Sequence, residues 1–206
     1  MRKLQFAAAL TLAAVVIAAP AAQAQVIWSY TGGTQRTDGG IVAGNTFTAF
    51  GGQTFNSLGF IDIGDDGLAQ SYTVGIFDTA TQTLLQSTTV TPTSPLINGF
   101  RYGSIPTTTI PHGTQFTIAA LLPPGTVDPW MDDTNNILGV GFTGAGQGQY
   151  LASGTLVFPT TFADGNYAIA NASPVVVPEP GVLALAAGGA GALLLRRRRV
   201  ETSTNS

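Results

Sequence analysis

The chain predicts an all-β domain, an antiparallel β-sandwich of jelly-roll-like form, flanked by an N-terminal signal helix and a C-terminal hydrophobic helix. Three observations carry the β assignment. Short segments alternate polar with apolar residues, the period of a half-buried strand. Clusters of Gly, Pro, Asn and Asp punctuate them at close spacing. Between the two ends no segment keeps a helical period, so nothing could serve as the crossover helices that a parallel sheet requires.

The N-terminal element has the three parts of a secretory signal. Arg2 and Lys3 give a positive start, Phe6 to Ala19 an apolar stretch, and Ala22-Gln23-Ala24 a small-x-small ending. Residues 1–24 are therefore expected to be removed by signal peptidase after passage through the Sec machinery, between Ala24 and Gln25. An uncleaved N-terminal anchor is the alternative.

The domain proper spans 25–170. Its first strand signal is Asn45 to Phe50, which alternates polar with apolar residues as a half-buried strand does. Phe55 to Ile63, Tyr72 to Phe77 and Gln115 to Leu121 are rich in aromatic and β-branched residues. Leu84 to Val90, Phe100 to Ile105, Leu138 to Phe142, Tyr150 to Phe158 and Asn166 to Ala170 complete the series. Turn chemistry lies between them at Gly51-Gly52, Asp65-Asp66-Gly67, Asn98-Gly99, Pro111-His112-Gly113, Pro123-Pro124-Gly125 and Asp164-Gly165-Asn166. Tyr72–Phe77 and Leu84–Val90 should form a hairpin over residues 78–83.

Residues 171–177 read as an extended Pro/Val linker. The tail, 178–199, follows. Pro178-Glu179-Pro180 blocks helix formation, because proline fixes φ and lacks a donor. Val182 to Leu195 is apolar, and Arg196, Arg197, Arg198 and Arg199 form a basic stop that keeps this end cytoplasmic. A helix over about residues 181–195 would be roughly 22 Å long, short against a bilayer core of about 30 Å. An ordinary C-terminal membrane anchor would need no Pro-Glu-Pro.

Together these three parts resemble the PEP-CTERM sorting signal of Gram-negative bacteria. The resemblance covers about thirty residues of the chain. It implies recognition of Pro178, Glu179 and Pro180 by an exosortase, an integral-membrane cysteine transpeptidase-like enzyme that would cleave near the motif. It also implies export across the inner membrane, transient anchoring there, and a final place at the cell surface or in secreted matrix. Val200 to Ser206 extends past the abrupt stop usual in that family. The run from Phe60 to Asp78, then Leu84 to Ser87 and Gly99 to Tyr102, is similar to a β-sandwich domain common in exported proteins with this tail. That second resemblance implies a fold and no chemistry.

Composition narrows the function classes. The 206-residue chain carries a net charge of −3. Between the two signals only Arg36 and Arg101 are basic, against nine aspartates, which leaves −7 there. So acidic a domain repels phosphate backbones, and no nucleic acid partner is expected. With no cysteine, thiol chemistry and Cys-based metal sites are excluded.

The candidate sites are few. Asp62, Asp65 and Asp66 beside Gly64 and Gly67 read either as a solvated turn or as a calcium-supported loop, since calcium takes oxygen ligands. The EF-hand template fails, because its third position would be Gly64 and its bidentate position Thr73. Calcium is the one cofactor these residues suggest. Trp130 with Asp132 and Asp133 reads either as a packing residue in a polar loop or as a glycan contact. In the second case the indole stacks on a sugar, such as exopolysaccharide, and the acids bind its hydroxyls. Gly139-Val140-Gly141-Phe142-Thr143-Gly144 has dinucleotide-fingerprint spacing but no helix can follow it. His112, the only histidine, sits in a turn signal without partners for metal ligation. No nucleophile elbow occurs, and adjacent aspartates do not supply the separation a glycosidase needs. The expectation is a non-enzymatic surface or matrix protein. The alternative is a carbohydrate-binding module, with or without calcium.

Overall fold

The computed structural model describes residues 26–143 and 147–174. The expected signal segment, the expected Ala24–Gln25 cleavage point, the Pro178-Glu179-Pro180 motif, the apolar stretch and Arg196–Arg199 lie outside them. The described chain is all β, with antiparallel pairing throughout. In order the strands are β1 (Trp28–Thr31), β2 (Thr34–Arg36), β3 (Ile41–Ala49), β4 (Gln53–Ile61) and β5 (Tyr72–Asp78). Next come β6 (Thr83–Val90), β7 (Leu96–Ile97), β8 (Phe100–Ile110), β9 (Gln115–Leu122) and β10 (Trp130–Leu138). The last are β11 (Phe142–Thr143), β12 (Gly148–Ala152), β13 (Thr161–Phe162), β14 (Asn166–Ala168) and β15 (Ala170–Ser173).

They make three sheets. The largest runs β13-β12-β3-β9-β5-β6, with β11 pairing β3; a second runs β15-β4-β8-β7; the third runs β1-β10-β14, with β2 pairing β10. The first two face each other, as contacts of β4 with β5, β15 with β9 and β6 with β8 show. The result is sandwich-like. Its interior holds Trp28, Phe47, Phe55, Phe60, Phe100 and Phe116, all but excluded from water. Each such side chain contributes roughly 1.5–3 kcal/mol by burial. Phe60 and Tyr72 stack face to face at 3.8 Å, and the Tyr72 hydroxyl donates to Asp128 at 2.8 Å. Asp128 also accepts the Ala69 and Gln70 N–H groups, which fixes the loop before β5.

The alternation signals locate β3, β4, β5 and β9, and the expected hairpin of β5 with β6 forms. In its turn the Asp78 carboxylate accepts the Thr81 N–H and hydroxyl. Elsewhere the chain departs from the expectation. Phe100–Ile105 continues as β8 to Ile110, and Pro106 falls where the register with β4 breaks, a place where a missing N–H costs little. Tyr150–Phe158 is a strand only to Ala152; Leu156, Val157 and Phe158 instead pack on Val42, Phe77 and Ala119. Leu138–Phe142 is not one strand: Leu138 closes β10, Phe142 opens β11, and Gly139–Gly141 is the turn between them, with Gly141 at φ +91.

The largest correction concerns 171–177. Asn171 to Ser173 belong to β15, paired with Gly59 to Ser57, so the linker does not begin at 171 and the domain does not end at 170. Their small side chains fit a fully buried strand. The Asn171 side-chain amide donates to Trp28 O, and the Ile27 N–H donates to Ala172 O at 3.2 Å. The first and last described segments are thereby tied together.

Candidate functional site: an acidic and aromatic cleft

Of the polar stretch 128–133 only Asp128 and Pro129 lie in a loop. From Trp130 it is strand β10, covered on its edges by β1, β2 and β14. In a regular strand successive side chains point to opposite faces, which would separate Asp132 from Asp133. β10 is not regular there. Between Met131 and Thr134 it carries one residue more than β14, and Asp133 adopts φ +55. This bulge re-aims the chain, and both carboxylates line one open cleft of about 620 Å³. Gly165 makes room for it: a Cβ there would sit 2.8 Å from Asp133 Oδ1.

Four segments far apart in sequence build the cleft. The strand-β2 region gives Arg36 and Asp38, β10 gives Trp130, Asp132 and Asp133, β12 gives Tyr150, and residues 162–167 give Phe162, Asp164 and Tyr167. Arg36 organises the charged wall. It donates to both Asp38 carboxylate oxygens at 2.7 and 2.6 Å and to Asp132 at 2.6 Å. These bonds hold the Asp38 carboxyl below the usual carboxylate range and make the guanidinium still harder to deprotonate. Burial, then the nearby Asp132 charge, pushes the Tyr167 phenol up to about 12. One cation against Asp38, Asp132, Asp133 and Asp164 leaves the cleft with a net charge of −3.

Trp130 does not reach a ligand by its face. It is 1% exposed, its ring lies under the Arg36 guanidinium at 4.9 Å and edge-on to Tyr167, and its Nε1–H donates to Asp38 O at 3.2 Å. It is a packing residue, the first of the two sequence readings. The exposed aromatic of the cleft is Phe162, 64% accessible, with Tyr150 also exposed. Sequence reasoning passed over Phe162. Its only signal is an aromatic within Thr160-Thr161-Phe162-Ala163-Asp164-Gly165, next to a turn.

The Asp62 group is not brought together. Asp62 is buried and accepts Arg101 Nε at 2.7 Å and the Gly67 N–H at 3.2 Å, whereas Asp65 and Asp66 are exposed. Among the described residues no three His, Cys, Asp or Glu side chains are grouped to hold a metal ion. His112 accepts the Gly51 N–H on Nδ1 at 2.8 Å and rests against Phe50. Gly139–Thr143 is followed by no described helix; its glycines serve the β10–β11 turn.

A search against protein-family models returned no match, and a search of curated proteins returned none. The chemistry of the cleft therefore rests on its geometry. It offers hydrogen-bond acceptors, a guanidinium held between Asp38 and Asp132, and an apolar platform, which is the equipment for a neutral polyhydroxylated ligand or a cationic one.

Proposed function

We propose that the chain is an exported cell-surface or matrix protein with a non-enzymatic structural or interaction role, delivered by its PEP-CTERM-like tail. The observation that carries this is the tail itself: Pro178-Glu179-Pro180, an apolar stretch too short for comfortable spanning, and four arginines. Exosortase-type processing is the expected fate. The connectivity, in which consecutive strands repeatedly switch sheets, supports a jelly-roll-like reading of the sandwich. The mass of the mature protein in its host, with and without the sorting peptidase, tests the tail. An intact arginine-bearing C-terminus retained in membranes of both hosts would reject it.

A second reading is favoured by the cleft: the domain is a carbohydrate-binding module. Phe162 supplies the stacking face, and Asp133 and Asp164 supply acceptors that Arg36 does not occupy in any hydrogen bond seen here. A glycan array run with calcium and again with chelator tests it. Retention in both conditions supports a metal-independent saccharide site; no retention on any glycan rejects the reading.

A further inference from the structure

Three loops meet at the end of the domain where β3 turns into β4. They are Phe50–Gln53, Pro111–Thr114 and Gly139–Gly141. The Phe50 N–H donates to Gly141 O at 2.8 Å, the Gly113 N–H to Ala49 O at 2.8 Å and the Gly51 N–H to His112 Nδ1 at 2.8 Å. The loops are thus one hydrogen-bonded tip. Its outermost side chains are apolar: Phe50 is 63% and Val140 86% exposed. None of the three loops contains Asp, Glu, Lys or Arg, in a domain whose net charge is −7. Asp78 ends β5 on the same side, two strands away from β3, with its carboxylate turned onto Thr81.

The chain leaves the domain toward this tip. β15 runs antiparallel to β4 with Ser173 opposite Ser57, and the Asn56 side chain donates to Pro174 O at 2.8 Å. Continuing that line, Gln53 lies roughly 10 Å further along β4. From Val175 to Gly181 there are seven residues, which reach at most about 25 Å, before the apolar stretch begins at Val182. The Ile27 O accepts the Gly139 N–H at 2.7 Å, so the N-terminal side of the domain is at this end too.

We propose that the Phe50/Val140 tip rests on the lipid bilayer while the tail is inserted, so that the domain stands on the membrane on three loops that carry no charged residue, with the acidic cleft turned away from it. Two observations select lipid as the occupant: the short tether issuing beside the tip, and charge. An anionic bilayer repels carboxylates, and the loops of the tip carry none, with Asp78 set back two strands away. An aromatic and an aliphatic side chain at the point of contact enter the headgroup boundary readily, and tethering removes most of the entropic cost of finding it. The inference rests on the tail reading and goes beyond it.

Because the chain has no cysteine, single-cysteine variants report position cleanly. Full-length Phe50→Cys, and Val127→Cys at the other end of the domain, would be labelled with an environment-sensitive fluorophore. Each would be reconstituted in phosphatidylethanolamine–phosphatidylglycerol vesicles bearing a headgroup-depth doxyl quencher. Flotation of the chain with the vesicles is measured in parallel. The expected result is flotation of both, with a blue shift and loss of most emission at position 50 and water-like, unquenched emission at 127. Floating chains with water-like emission at position 50 overturn the proposal and leave the tail reading intact. Chains that do not float overturn the tail insertion and the proposal with it.

Discussion

Replacing Asp62 by alanine leaves the Arg101 guanidinium without its counter-charge, with Ser94 O as the acceptor it keeps. The two side chains are 1% and 15% exposed and 2.7 Å apart, so this is a buried pair, whose breaking costs about 3–5 kcal/mol. Water reaches part of Arg101, which places the cost at the lower end, about 3 kcal/mol. The Gly67 N–H loses its acceptor as well, for about 1 kcal/mol more. In a domain of about 150 residues each kcal/mol moves the thermal midpoint by about 2–4 °C, so the midpoint should fall by about 10 °C. Adding Arg101→Met removes the stranded charge and should recover much of that loss, a coupling of about 2–3 kcal/mol. Thermal and urea unfolding of the wild type, both single variants and the double variant close the cycle. A cost below about 1 kcal/mol for Asp62→Ala, or the same cost with and without Arg101, would refute the assignment. Calcium provides a second arm. Asp62 spends its oxygens on Arg101 and Gly67, so the wild-type midpoint should be the same with calcium and with chelator. A calcium-dependent rise that Asp62→Ala abolishes would show that the carboxylate serves a metal after all.

Three further outcomes follow from the cleft and its surroundings. Phe162→Ala removes an exposed ring and should leave stability within about 0.5 kcal/mol. Binding to any glycan retained on the array should weaken about 2- to 10-fold, the value of one stacking contact, as read by isothermal titration. Gly165→Ala drives a methyl into Asp133 and should cost about 1–3 kcal/mol of strain while weakening the same binding without changing a charge; chemical denaturation and titration measure both. Alkaline unfolding carries a sign. Burial raises the Tyr167 phenol from 10.0 to about 12, and Tyr72 and Tyr102 shift the same way. The folded state keeps protons that the unfolded state has lost, so stability is intact below about pH 10 and falls as pH rises toward 12. Tyrosinate absorbance should then rise in step with loss of β-sheet circular dichroism; free titration of all the tyrosines near 10 in a folded domain would contradict it.

Much of the fold was legible because packing and pattern agree. In Asn45–Phe50 the alternation marks β3, and Phe47 and Ala49 do enter the core. Even there Asn45 is a surprise: its side-chain amide is buried and bridges to both backbone groups of Tyr167, in place of a strand partner. β10 was not legible, since Asp132-Asp133 and Asn135-Asn136 have low strand propensity and only tertiary pairing with β1, β2 and β14 keeps them extended. β15 escaped because Asn-Ala-Ser ahead of proline has a linker's composition, while its burial depends on β4 and on Trp28 far away in sequence. The acids of the cleft could be nominated as polar neighbours of Trp130. Their actual companions Arg36, Tyr150 and Phe162 come from other parts of the chain, brought alongside by sheet order. No local spacing encodes that meeting, and the bulge that turns Asp133 inward leaves no mark in composition.

The knot between Ile27 and Ala172 sets a timetable. β15 is an edge strand of its sheet, and on its removal the row of N–H and C=O groups along β4 would lie open, an invitation to pair with another chain. A polypeptide that stops short of residue 173 can assemble most of its interior and still lack its seam. Contacts between such distant segments also close late. Completion of the domain thus waits for nearly the whole of it to be present, and unfinished copies carry an adhesive flank by which they can be told from finished ones.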